Sequence, residues 1–289
     1  MKLLVTGANG QLGRCLLDRL ADSDDRVVAL GRDGLDITDR SGVNARVMAV
    51  RPDIIVNAAA YTSVDRAETD RETAWAVNAE GVEHLARAAN RAGAVLVHVS
   101  TDYVFDGTLR RPYLESDMAN PVGVYGASKL AGEQAARLAD RHLVVRTAWL
   151  FSEYGHNFLR TMIRLAHERD TLSIVDDQVG TPTYAGDLAE ALVALCRGRP
   201  ESGVYHFSGG EPCSWFGFAR AIFAACSQVS DTFPSPRLVP IASSDFPAPV
   251  QRPAYSVLDG GKLRREAGVP PGNWRRALVP LCRKILPTG

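Results

Sequence analysis

The chain has 289 residues, 46% of them hydrophobic and 23% charged, an ordinary mix for a globular protein in water. Its 33 basic and 33 acidic residues cancel, so neither a nucleic acid nor an anionic membrane is expected as a partner. No apolar run approaches the roughly 18 residues of a membrane span, and the five cysteines form no C-x-x-C pair, so a cytoplasmic protein with reduced thiols and no metal site is expected.

Lys2–Val5 opens the chain as a short apolar run, the kind buried on both faces of a parallel sheet. Thr6-Gly7-Ala8-Asn9-Gly10-Gln11-Leu12-Gly13 follows, after which Leu12, Cys15, Leu16 and Leu20 recur at helical spacing. A glycine-rich turn between a strand and a helix is a phosphate cradle. Gly7 permits a tight turn, Gly10 lets backbone N–H groups approach a pyrophosphate, and Gly13 lets the helix pack against the strand. The helix N-terminus adds unpaired N–H groups and partial positive charge. A dinucleotide site is therefore predicted. The second run, Arg26–Leu30, ends at Gly31-Arg32, where an NAD-preferring site usually carries an acid for the ribose 2′-OH. Arg32 can instead pair with a 2′-phosphate, and Asp36 is expected nearer the adenine. NADPH is thus the expected cofactor, with NADH as an alternative.

Asp53–Asn57 reads as the third strand, and the small side chains of Asn57–Thr62 let a cofactor pass over the backbone. Val77, Gly81, Leu85, Ala88 and Ala89 predict a helix. Ala94–Val99 is the fourth strand and ends in Ser100-Thr101-Asp102-Tyr103, at the carboxyl edge where open α/β sheets bind ligands. Thr101 can donate to a substrate carbonyl, and Asp102 can tune the proton balance or cap a turn. Tyr125-Gly126-Ala127-Ser128-Lys129 places a phenol and an ammonium four residues apart, on one helix face. Reduction of a ketone needs hydride on carbon and a proton on oxygen. A phenol can supply the proton, and a nearby ammonium is expected to lower its ordinary pKa of about 10. His142–Arg146 is the fifth strand.

After Trp149 the texture changes. Helical patterns lie near Asn157–Glu168, Asp187–Arg197, Trp215–Cys226 and Trp274–Ile285, with short strands at Leu172–Val175 and Val204–Ser208. Prolines crowd Pro234–Pro253, where loops should dominate. The expected architecture is α/β: a doubly wound parallel sheet of the Rossmann type over residues 1–150, with a smaller substrate-binding lobe over 151–289 and some interleaving.

Gly7–Gly13, Asn57–Thr62, Val64–Glu68, Ser100–Phe105, Tyr125–Lys129, Arg146–Trp149, Asp177–Thr183 and Arg252-Pro253 together resemble the dTDP-4-dehydrorhamnose reductases, a branch of the extended short-chain dehydrogenases. The resemblance covers nearly the whole chain. It implies reduction of dTDP-4-dehydro-L-rhamnose at C4 by NADPH or NADH. It implies Tyr125 as proton donor, Lys129 as its partner and ribose ligand, and Thr101 and Asp102 as supports of the carbonyl. Tyr103, Trp149 and Arg252 would meet the sugar substrate. Gly10, Gln11, Leu12, Asp36, Ile37, Ala60, Tyr61 and Thr62 would contact the cofactor. Relatives often dimerise, so a homodimer is expected. Some use a metal at the interface, but no acidic cluster demands one here, and Cys15 stands where an acid of the first helix would serve.

Three other functions share these features. A nucleotide-sugar epimerase would keep the tyrosine and lysine but return the hydride; the unacidic end of the second strand speaks against it. A reductase of another dTDP-4-keto-deoxysugar is barely distinguished by sequence. A regulatory subunit binding NADP without turnover would be expected to lose Tyr125 or Lys129, and both are present.

Overall fold

The computed structural model describes residues 1–286. Five strands, β1 (Lys2–Thr6), β2 (Arg26–Leu30), β3 (Ile54–Asn57), β4 (Val95–Thr101) and β5 (His142–Thr147), lie where the apolar runs predict them. They pair in parallel in the order β2-β1-β3-β4-β5, and Gly203–His206 adds a sixth parallel strand beside β5. The segment Val204–Ser208, read from sequence with the lobe, thus contributes to the central sheet.

Helices α1 (Gln11–Leu20), α2 (Arg40–Val50), the short α3 (Val64–Ala67) and α4 (Arg71–Trp75), α5 (Gly81–Ala92) and α6 (Val124–Ala136) connect these strands. Strand alternation sorts the core. Leu3, Val5, Ile54, Val56, Val97 and Val145 pack with α1 and with helix Ala185–Gly198. Leu4, Ile55, Leu96 and Val144 pack on the other face with α2, α5 and the end of α6. Both faces are sealed, so the strands read as continuous apolar runs. The strand order reverses between β1 and β3, which sets the ligand-binding crevice at the carboxyl ends Thr6, Asn57, Thr101 and Thr147.

The lobe has its own core. Helices Phe158–Glu168, Trp215–Ser227 and Trp274–Ile285 close around Phe151, Phe218, Ile222, Trp274 and Leu278. Thr171–Val175 pairs in parallel with Arg237–Ile241. The second of these strands lies inside the proline-rich stretch expected to be loop. A two-stranded sheet leaves each strand an open edge, where the missing N–H of Pro240 is tolerated. Helix Ala185–Gly198 and strand Gly203–His206 return to the central sheet, so the chain crosses the expected division at residue 150 more than once. Residues 287–289, the end of the expected lobe, lie outside the described residues. Among the described residues no helix is long and apolar enough to cross a membrane.

Candidate active site

The turn after β1 is built from close approaches. Gly7 has φ +66°, and a Cβ on it would lie 2.6 Å from the Ala58 carbonyl carbon. A Cβ on Gly13 would lie 2.4 Å from the Gly7 oxygen. Gly10 differs: its Cβ would meet only the Gly7 oxygen, at 3.3 Å. Gly10 is the N-cap of α1, with no side-chain cap and no acid in the first turn. The first N–H groups of α1 therefore lack a capping side chain, which fits a pyrophosphate. The Gln11 side chain is already engaged, its Oε1 accepting from Ser152 and from Asn157 of the lobe.

Arg32 and Asp36 follow β2 beside a separate recess of about 550 Å³ that Gly34 and Arg46 also line. Arg32 is mostly exposed and reaches Asp36 at 3.3 Å. Asp36 accepts from the Thr38 N–H and hydroxyl, and these bonds hold its carboxyl below the usual range. Ile37 is buried in the core, where a Cβ on Gly81 would press against it at 2.7 Å.

A cleft of about 600 Å³ runs along the strand ends. It brings together Gly10, Gln11, Leu12, Ala60, Thr62, Thr101, Asp102, Tyr103, Tyr125, Lys129 and Trp149, with His156 and Trp215, which no motif marks. Gly7, Gly13, Arg32, Asp36, Ile37, Tyr61 and Arg252 do not line it. Tyr61 donates through its hydroxyl to Asp70, and its N–H donates to Asn78. Arg252 reaches Asp65 at 3.1 Å.

The electrostatics at Tyr125 differ from the sequence expectation. Its ring borders the cleft, but desolvation pushes the phenol up to about 12, against the pull of the Thr101 hydroxyl, which itself donates to Asp102 at 3.1 Å. No lowering by Lys129 is seen. The Lys129 ammonium is buried and donates to the Val99 carbonyl at 2.7 Å. Burial brings Lys129 down to about 8, opposed by the charge of Glu133. Its Nζ also lies 3.5 Å from Nε2 of His98, an imidazole that burial holds neutral and whose Nδ1 is 3.0 Å from Asn57. Tyr103 packs edge-on against Tyr125, ring centroids 5.6 Å apart.

Two supports of this helix were not foreseen. Between α4 and α5 the helix widens into a π turn at Ala76–Glu80, a feature frequent at functional sites. From that turn Asn78 donates to the Tyr61 carbonyl and to the Ser128 hydroxyl, joining the third-strand loop to α6. Deeper in α6, Glu133 takes both prongs of the Arg146 guanidinium at 2.8 and 2.7 Å, and Ser100 donates to it at 2.6 Å. Both charged partners are at most 4% exposed. This ion pair fastens α6 to β4 and β5.

Asp102 is fully buried beside the cleft, and one carboxylate oxygen has no protein partner among the described residues. Burial pushes its carboxyl up to about 6, against the pull of the Ser256 and Thr101 hydroxyls. Because the folded value is raised, the folded chain holds a proton that the unfolded chain releases. The associated stability is full below about pH 4 and is lost as pH rises through about 6. Asp102→Asn should abolish that loss, a gain at pH 7 on the order of 2–3 kcal/mol. Urea midpoints of both proteins at pH 5 and pH 7 check this. Parallel changes in the two would contradict it.

Residues 1–286 match the family described as RmlD substrate binding domain. The sequence is 45% identical to a dTDP-4-dehydrorhamnose reductase of Aggregatibacter actinomycetemcomitans, over 96% of this chain and 97% of the relative. It is also 45% identical to a dTDP-4-keto-6-deoxy-D-glucose reductase of Streptomyces niveus, over 96% and 94%. The fold superposes on the crystal structure of a Bacillus anthracis dTDP-4-dehydrorhamnose reductase in complex with NADP. The TM-score is 0.91 at 39% identity, covering 97% of this chain and 98% of the other.

Proposed function

The chain belongs to the RmlD substrate binding domain family, and from that premise we propose that it reduces the C4 keto group of dTDP-4-dehydro-L-rhamnose, giving dTDP-L-rhamnose, with NADPH as the hydride source. The observation that carries this reading is the cleft itself. It holds Tyr125, Lys129 and Thr101 beside the uncapped start of α1, where a dinucleotide's phosphates fit.

When bound, the reduced nicotinamide supplies a hydride to the carbonyl carbon. Gly10, Gln11 and Leu12 would hold the pyrophosphate through backbone N–H groups, Gly7 and Gly13 shaping the turn that presents them, and Ala60 and Thr62 would border the rest of the dinucleotide. At its raised pKa Tyr125 keeps its proton at neutral pH, so Oη can deliver it to the carbonyl oxygen. The Thr101 hydroxyl, in the same cleft as Tyr125, would orient the carbonyl. Lys129, its ammonium held by the Val99 carbonyl, would bind the nicotinamide ribose.

NADH is the alternative hydride source. The open end of β2 favours NADPH, because Arg32 stands where an acid would oppose a 2′-phosphate. Arg32→Ala should weaken NADPH binding about tenfold, the worth of one charge-assisted hydrogen bond, and leave NADH nearly unchanged. Fluorescence titration with each cofactor decides; equal weakening of both removes the argument.

A second reading, reduction of a different dTDP-4-keto-6-deoxysugar, is favoured by the Streptomyces niveus relative. Product stereochemistry separates the two. The proposed location is the cytoplasm. The family resemblance also leads us to propose a homodimer, which light scattering of the purified chain checks.

A further inference from the structure

Protein lies against both faces of the Trp149 indole. Trp215 stacks on it in parallel, with centroids 3.5 Å apart and 7° between the planes. On the other side, a Cβ on Gly180 would lie 2.4, 2.6 and 2.7 Å from Cε2, Nε1 and Cζ2 of Trp149. Such similar distances to three adjoining ring atoms put Gly180 over the ring plane. Since Trp215 fills one face, Gly180 lies over the opposite one. The two jaws share one small sheet: Val179–Gly180 pairs antiparallel with Cys213–Ser214, and Trp215 is the next residue. Ser214 steadies that corner by donating to Asp176 and accepting from the Gly217 N–H.

Trp149 itself has φ +45°, a left-handed conformation unfavourable for a bulky side chain. Such strain persists only where the surroundings impose it, and it gathers at functional sites. Trp149 follows β5, whereas both jaws come from the lobe, so the clip ties the lobe to the catalytic strand ends. The segment Asp177–Thr183, distinctive in sequence but without a chemical role so far, thereby gains one at Gly180.

We propose that Gly180 and Trp215 are positioning residues that clip Trp149 so that its edge, not its face, meets the keto-sugar. This rests on the reductase reading above. A sugar stacked face-on over Trp149 would have to displace Trp215 from one face or pass Gly180 on the other. A side chain at position 180 must displace the indole and spoil the sugar contact without touching the phosphate cradle.

The test is steady-state kinetics of Gly180→Ala, with NADPH binding measured separately. The KM for dTDP-4-dehydro-L-rhamnose should rise roughly tenfold or more, the range that one misplaced methyl commands in a binding pocket. The NADPH Kd should stay within about twofold, and the circular-dichroism exciton signal of the stacked indoles should change. Trp215→Leu should raise KM likewise and lose that signal; Trp215→Phe, which keeps a stacking face, should raise KM less. If Gly180→Ala does not fold, the two Trp215 variants decide. Wild-type KM values, or KM and NADPH Kd rising together, would overturn the clip. A wild-type protein that does not oxidise NADPH with the keto-sugar would instead sink the reductase reading.

Discussion

Tyr125→Phe is expected to lower kcat by about 10²–10⁴-fold while leaving the NADPH Kd near its wild-type value. The substitution removes one hydroxyl and keeps the ring that packs against Tyr103. It deletes the proton path and little else. The hydroxyl is desolvated and only the neighbouring Thr101 hydroxyl pulls its pKa down, so it keeps its proton at neutral pH. Stopped assays for kcat and fluorescence titration for NADPH separate chemistry from binding. A variant within about tenfold of wild-type turnover would assign the proton to another group.

The largest effect on stability is expected at the Glu133–Arg146 pair. Arg146→Met leaves a buried carboxylate with only the Ser100 hydroxyl as partner. Removing one member of a buried ion pair costs roughly 3–5 kcal/mol. For a chain of this size that lowers the melting temperature by on the order of 10 °C. The double variant Glu133→Leu, Arg146→Met removes both charges and should recover most of the loss, because two desolvated charges are exchanged for apolar packing. Because α6 carries Tyr125 and Lys129, the single variant should also lose activity. A shift below about 1 kcal/mol would mean the pair is weaker than its geometry implies. Urea denaturation of the three proteins measures it.

The central sheet was legible because a doubly covered parallel strand has few ways to be written: Val95–Thr101 and His142–Thr147 are nearly all apolar until the carboxyl end turns polar. The cradle and the tyrosine–lysine pair were legible because their chemistry depends on local spacing, which folding does not change. The missed features depend on tertiary meetings. Glu133 lies one helical turn beyond Lys129, and an acid on the buried face of α6 could have signalled a hidden cation. Arg146 was visible only as part of a strand motif. Trp215 is far from Trp149 in sequence, and nothing in either segment announces their stacking. The strand Arg237–Ile241 was hidden by its proline, which propensity counts against a strand but an open edge accepts. The expected lowering of the Tyr125 pKa failed for a related reason. Spacing puts Lys129 on the same helix face, but its ammonium bonds the Val99 carbonyl, and desolvation then dominates the phenol.

The most direct trial of the reductase reading is a count of cofactor consumed against alcohol formed. Purified protein would be given dTDP-4-dehydro-L-rhamnose and NADPH, followed at the nicotinamide absorbance, with the sugar product identified by NMR. Equal amounts of oxidised cofactor and dTDP-L-rhamnose are predicted. Conversion of the sugar with no net oxidation of NADPH, or no conversion at all, would contradict the account.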